Sequence, residues 1–139
     1  MKALIVYGGW EGHEPVQVSE IFERVLTGHG FEVEMSDTLD SYLDVEKLKG
    51  LDLIVPHWTM GEIAKEQWHG LSEAVRSGVG VAGVHGGMGD SFRRNTDYQF
   101  MVGGQWVAHP GGVIDYEVNI ISDDPIVAGL SDFAMTSEQ

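Results

Sequence analysis

Three histidines in this chain stand among glycines that let backbone come close to a ligand. His13 closes the stretch Gly8-Gly9-Trp10-Glu11-Gly12-His13. His85 sits in Gly83-Val84-His85-Gly86-Gly87-Met88-Gly89-Asp90, and His109 follows Gly103-Gly104-Gln105-Trp106-Val107-Ala108. An imidazole near its ordinary pKa of about 6.5 can take and return a proton close to neutral pH. Neutral imidazoles also ligate zinc and other transition metals. Three of them, completed by a carboxylate or a water, match a catalytic zinc centre in type. His13, His85 and His109 are therefore the candidate metal ligands, and a divalent metal such as zinc is the candidate cofactor. The sequence has no compact signature such as H-E-x-x-H, so this metal signal is dispersed.

Asp90 and Glu138 complete the set of candidate catalytic residues with His13, His85 and His109. Asp90 follows the His85 loop and could orient an imidazole or act as acid or base. It suits equally well the N-cap of a helix beginning at Ser91. Glu138 follows a strand-like run and could enter the same cleft; the ordinary alternative is an exposed carboxylate near the chain end. His57, after Leu51-Asp52-Leu53-Ile54-Val55-Pro56, is a second-rank cleft candidate. Trp10, Trp58 and Trp106 fall in or beside loops, where an aromatic face could pack on the C–H face of a sugar. Core packing is the commoner use for Trp58 and Trp106. Arg93 and Arg94 could bind an anion or make local ion pairs. The Gly8–Gly12 loop fits neither G-x-G-x-x-G nor a Walker P-loop, and Glu11 would repel a phosphate, so nucleotides and flavins are disfavoured.

The elements that position these residues follow from periodicity. Lys2–Tyr7, Phe31–Met35, Leu51–Val55 and Val79–Val84 read as strands. A helix opens at Glu14-Pro15, places Val18, Ile21, Phe22, Val25 and Leu26 at helical spacing, and ends at Gly28–Gly30. Leu39–Leu48 is a short acidic helix or turn. Glu62–Ser77 is a helix with Ile63, Trp68, Leu71 and Val75 on one side. Ser91–Gly103 contains a short helix, Val113–Ile121 is a further strand, and Ile126–Leu130 is a helical turn. Alternation of strand and helix over the first 84 residues means parallel βαβ units. In open α/β sheets ligands bind beyond the carboxyl ends of the strands, which is where His13 and His85 fall. The first and fourth strands are expected to be neighbours, which would let these two histidines share a crevice.

The 139 residues fit a single domain, with 42% hydrophobic residues. Eight basic against 22 acidic residues give a formal net charge of −14. That argues against nucleic acid and anionic membrane surfaces as partners, since both want Lys/Arg clusters. Absence of cysteine excludes disulfides, thiolate metal sites and cysteine nucleophiles. The N-terminus lacks the apolar core of a signal peptide, and no apolar run is long enough to span a bilayer. The expected location is cytoplasmic.

The stretches Gly8–His13, Gly83–Asp90 and Val102–Pro110, with Asp124-Pro125-Ile126-Val127-Ala128-Gly129-Leu130 and Ser137-Glu138, resemble the trehalose-utilisation, ThuA-like family in their order and spacing. The resemblance runs over the whole chain. It implies a class I glutamine amidotransferase-like scaffold, an α/β flavodoxin-like three-layer sandwich with a mainly parallel sheet. Amidotransferases carry a nucleophilic cysteine in the turn where this chain has His85, so their chemistry is not implied. The resemblance does imply carbohydrate catabolism, of trehalose or a related disaccharide or 3-keto sugar, with a small-molecule carbohydrate as partner. A non-catalytic carbohydrate-binding or structural module is the alternative, and a homo-oligomer is allowed by either. Family members usually continue past the Glu138 region, so 1–139 is expected to be one ThuA-like domain, incomplete at its C-terminus.

Overall fold

A computed structural model describes residues 1–138. Two compact units form, Met1–Trp106 and Val107–Gln139. The first is built on four parallel strands: β1 (Lys2–Gly9), β2 (Glu32–Ser36), β3 (Leu53–Thr59) and β4 (Gly80–Val81), in the order β2-β1-β3-β4. Helix α1 (Pro15–Gly28) connects β1 to β2, and Pro15 at its start sacrifices no hydrogen bond that the helix could make. A 3₁₀ turn at Leu39–Tyr42 and helix α2 (Val45–Lys49) precede β3; helix α3 (Lys65–Arg76) leads from β3 to β4. Helices α4 (His85–Gly89) and α5 (Thr96–Val102) follow. The fold is α/β with a parallel sheet and helices layered on it, as a flavodoxin-like sandwich requires.

The strand period of two separates the faces of the sheet. Leu4 and Val6 of β1 and Ile54 of β3 pack with Leu39, Tyr42, Leu48, Leu71, Ala74, Val79, Phe92 and Tyr98 in one buried cluster. Ala3, Ile5 and Val55, one residue out of step, are also buried. They belong to the opposite face, the side on which Phe22 of α1 meets the ring of His57.

Three expectations need correction. The first and fourth strands are not neighbours, because β3 lies between them. β3 runs on through Pro56 to Thr59, well past Val55, while β4 pairs only at Gly80–Val81. Pro56 accounts for both. Ile54 accepts a bond from Ala82 N at 3.2 Å on the β4 side, so Pro56, two residues on, faces the same way. It has no N–H to extend that ladder. Its other neighbour β1 continues alongside, with Val6 opposite Pro56 and Gly9 opposite Thr59.

The second unit contains β5 (Val113–Val118) and β6 (Phe133–Glu138), antiparallel, with Val113 opposite Glu138 and Val118 opposite Phe133. A 3₁₀ turn at Pro125–Val127 lies between them, its Asp124 side chain capping the Ile126 N–H. Among the described residues no helix is long and apolar enough to cross a membrane.

Candidate functional site

Two of the sequence-selected histidines meet at the carboxyl ends of the parallel strands. The rings of His13 and His85 lie edge to face with centroids 4.9 Å apart. Adjacent strands are not needed for this. His13 ends a 3₁₀ turn at Glu11–His13 that begins after β1, and the loop leans over β3: Trp10 N donates to the Thr59 carbonyl at 3.0 Å. The His13 ring then reaches the end of β3, where Nδ1 lies 2.9 Å from Thr59 Oγ1. His85 arrives from the far side, at the start of α4.

The backbone of His85 has φ +47°, in the left-handed region that non-glycine residues rarely occupy. A strained strand-to-helix turn of this kind projects one side chain out of the sheet; it is the device of a G-x-S-x-G nucleophile elbow. Here Gly83 and Gly87 stand two residues either side of His85. A Cβ on Gly83 would press on Met88 and the Pro56 carbonyl, and one on Gly87 would collide with His57 Nδ1. The G-x-H-x-G spacing was visible in the sequence; the strain that gives it meaning was not. Helix α4 is tied from behind. Ser91 Oγ donates to the Gly87 carbonyl at 2.6 Å, and the Tyr98 hydroxyl donates to the Met88 carbonyl at 2.9 Å. Burial pushes the Tyr98 hydroxyl up to about 12, so it remains a donor at neutral pH.

Behind the pair lies His57. Its ring is buried against Phe22 and Gly87, and neither ring nitrogen finds a hydrogen-bond partner among the described residues. Desolvation, then the neighbouring His13, lowers its pKa from 6.5 and keeps it neutral. Thr59 went unnoticed in the sequence because β3 was expected to stop four residues earlier. Trp10, half exposed, lies edge to face with His13 at 4.8 Å between centroids. Trp58 packs on the core and Trp106 lies under the Arg93 guanidinium, 4.4 Å from carbon to ring centroid.

Asp90 is buried at the C-terminal end of α4 and does not cap a helix start at Ser91; the next helix begins at Thr96 with Asn95 as its cap. Its carboxylate accepts two hydrogen bonds from Arg93, from Nε and, at 2.8 Å, from an Nη. Of the two roles open to Arg93 and Arg94, both make local ion pairs, Arg94 with Glu62 at 2.8 Å. His109 and Glu138 belong to the second unit, where His109 Nε2 stands 3.6 Å from a Glu138 carboxylate oxygen. That contact is ionic when the imidazole is protonated.

His13 and His85 are nitrogen donors of the type zinc accepts. Among the described residues, however, no group of three or more histidine, aspartate or glutamate side chains has the spacing to hold a metal ion.

A family model for ThuA, described as trehalose utilisation, matches residues 2–139. The chain belongs to the ThuA family. The ThuA chain is similar in structure to a ThuA-like protein from Bacteroides uniformis, with a TM-score of 0.75 and 21% sequence identity over 99% of this chain. It spans 58% of that protein's length. At such identity the likeness speaks to the fold. No curated protein matches the ThuA chain.

Proposed function

We propose that this ThuA protein acts in carbohydrate catabolism, converting trehalose, a related disaccharide or a 3-keto derivative, with His13 and His85 as an acid–base pair. The observation that carries this reading is the convergence of the two imidazoles, 4.9 Å apart, from separate loops. Isomerisation, hydrolysis and elimination of a sugar each need one proton removed and another delivered. Two imidazoles can share that work if they are in opposite protonation states. Thr59 Oγ1 and Nδ1 of His13 orient one another, which fixes the ring at the end of β3. Tyr98 and Ser91, through α4, hold His85 in place.

A non-catalytic carbohydrate-binding role is favoured by one further observation, the half-exposed Trp10 ring beside His13, on which a sugar face could stack. One experiment separates the two. The protein is incubated with trehalose and with 3-keto-trehalose, and the products are followed by proton NMR. His85→Asn is the variant of choice, since asparagine tolerates the left-handed backbone. Loss of at least about 100-fold in turnover, at an unchanged melting temperature, is expected for a removed acid–base group. Full activity in His85→Asn overturns the acid–base reading. Binding of trehalose without turnover in either protein supports the binding module.

A further inference from the structure

A second cleft, of about 450 Å³, opens within the first unit between the β3–α3 loop and the start of α5. Its size falls in the range of small-molecule sites. Ile63, Trp68 and Phe92 form its apolar part, and each belongs to the core cluster or packs on it, so these side chains are held in fixed positions. Its rim carries Lys65 and Arg94 on the one hand and Glu62 and Asp97 on the other. Arg94 and Glu62 pair with each other at 2.8 Å. Lys65 and Asp97 are exposed. No ion pair ties up either of them among the described residues.

The lining selects a ligand class by charge. An anion would gain from Lys65 but meet Asp97, Glu62 and a chain of net charge −14. A cation would meet Lys65 and Arg94. A neutral ring bearing hydroxyls meets neither penalty, because each hydroxyl can accept from the ammonium and donate to the carboxylate. Its C–H face can lie on the partly exposed Trp68, while the buried Phe92 closes the cleft from the core side. The floor is anchored to the segment that carries the histidine pair's Thr59: Met60 N donates to the Asp90 carbonyl at 2.8 Å and Gly61 N to the Ser91 carbonyl at 2.6 Å.

We infer that this cleft is a binding site for a single neutral polyhydroxylated ring, a pyranose or cyclitol, separate from the histidine pair. It stands whether or not His13 and His85 perform acid–base chemistry.

The test is a titration of the uniformly ¹⁵N-labelled protein with D-glucose, followed by amide shifts, with D-gluconate and D-glucosamine as charged comparisons. Glucose is expected to move the amides of Ile63, Lys65, Thr96 and Asp97. Lys65→Ala and Asp97→Ala, both exposed positions, should each weaken glucose by at least about tenfold, as expected for a lost hydrogen bond to a charged group, with unchanged melting temperatures. His85→Asn should leave this binding intact, which separates the site from the acid–base reading. Three results overturn the inference: shifts confined to residues around His13 and His85, tighter binding of gluconate or glucosamine than of glucose, or glucose affinity unaltered in both cleft variants.

Discussion

The two faces of the parallel sheet are made by alternating residues of the same strands, and they bury different things. On the α3 side, Leu4, Val6 and Ile54 meet Leu71, Ala74, Leu48 and Tyr42 in a continuous apolar cluster. On the α1 side, Ile5 and Val55 share their face with Thr59, His57 and, from the helix, Ser19, all three buried. Neither the Ser19 hydroxyl nor the His57 ring is hydrogen-bonded among the described residues. The exposed apolar residues Ile21 and Val25 also lie on α1. Each face buries unpartnered polar atoms, the Tyr42 hydroxyl on the α3 side and the Ser19 hydroxyl and His57 ring on the α1 side. The α3 side supplies most of the apolar packing, and the α1 side carries the residues that stand behind the histidine pair. β3 shows the division within seven residues: Ile54 and Trp58 serve the core, while His57 and Thr59 back the histidine pair.

The contrast can be broken most directly at Ile54. Ile54→Ala removes a fully buried side chain from the closed face and should cost about 2–5 kcal/mol in urea unfolding. A loss well under 1 kcal/mol would mean that the α3 face is not the stabilising one. Next in size is Gly87→Ala. The added Cβ collides with His57, so the variant should lose about 1–3 kcal/mol through overpacking. Combining it with His57→Ala should return much of that loss, since the clash disappears. Additive losses in the double variant would show that α4 and His57 are not packed as described.

The mildest test is the pH dependence of stability. In the unfolded chain His57 takes up a proton around 6.5; in the folded protein, burial and His13 lower that value. Below 6.5 the unfolded state therefore binds more protons, and stability falls with decreasing pH until folded His57 itself protonates. Urea midpoints measured between about pH 5 and pH 8 should decline on the acid side, and less so in His57→Gln. Parallel curves for the two proteins would remove His57 from the account.

Much of this was legible in the chain itself. The apolar strand runs, the helix between Pro15 and Gly28, and the glycine clusters around His13 and His85 are local patterns, and local patterns survive into the fold. The composition ruled out cysteine chemistry. The family motifs pointed to ThuA, whose model matches residues 2–139. Boundaries fared less well where one residue's hydrogen bonding depended on which strand lay beside it. Pro56 reads as a strand breaker in isolation, but it is harmless where the β4 ladder has already ended and β1 still runs alongside.

Spatial pairing belonged to the tertiary structure. The sequence put His13 and His85 at strand ends that could share a crevice, but it reached that pairing through a neighbouring first and fourth strand, and it gave no sign of Thr59, which lies on the intervening β3. That β3 lies between β1 and β4 is a property of chain crossovers, not of any one strand. The left-handed backbone of His85 and the burial of His57 likewise follow from what packs behind α4. Sequence alone determined which residue types were on hand for chemistry and which runs would become strands or helices, since both follow from side-chain identity and local periodicity. The tertiary structure decided which side chains face one another, because long-range contacts depend on the topology that closes the core.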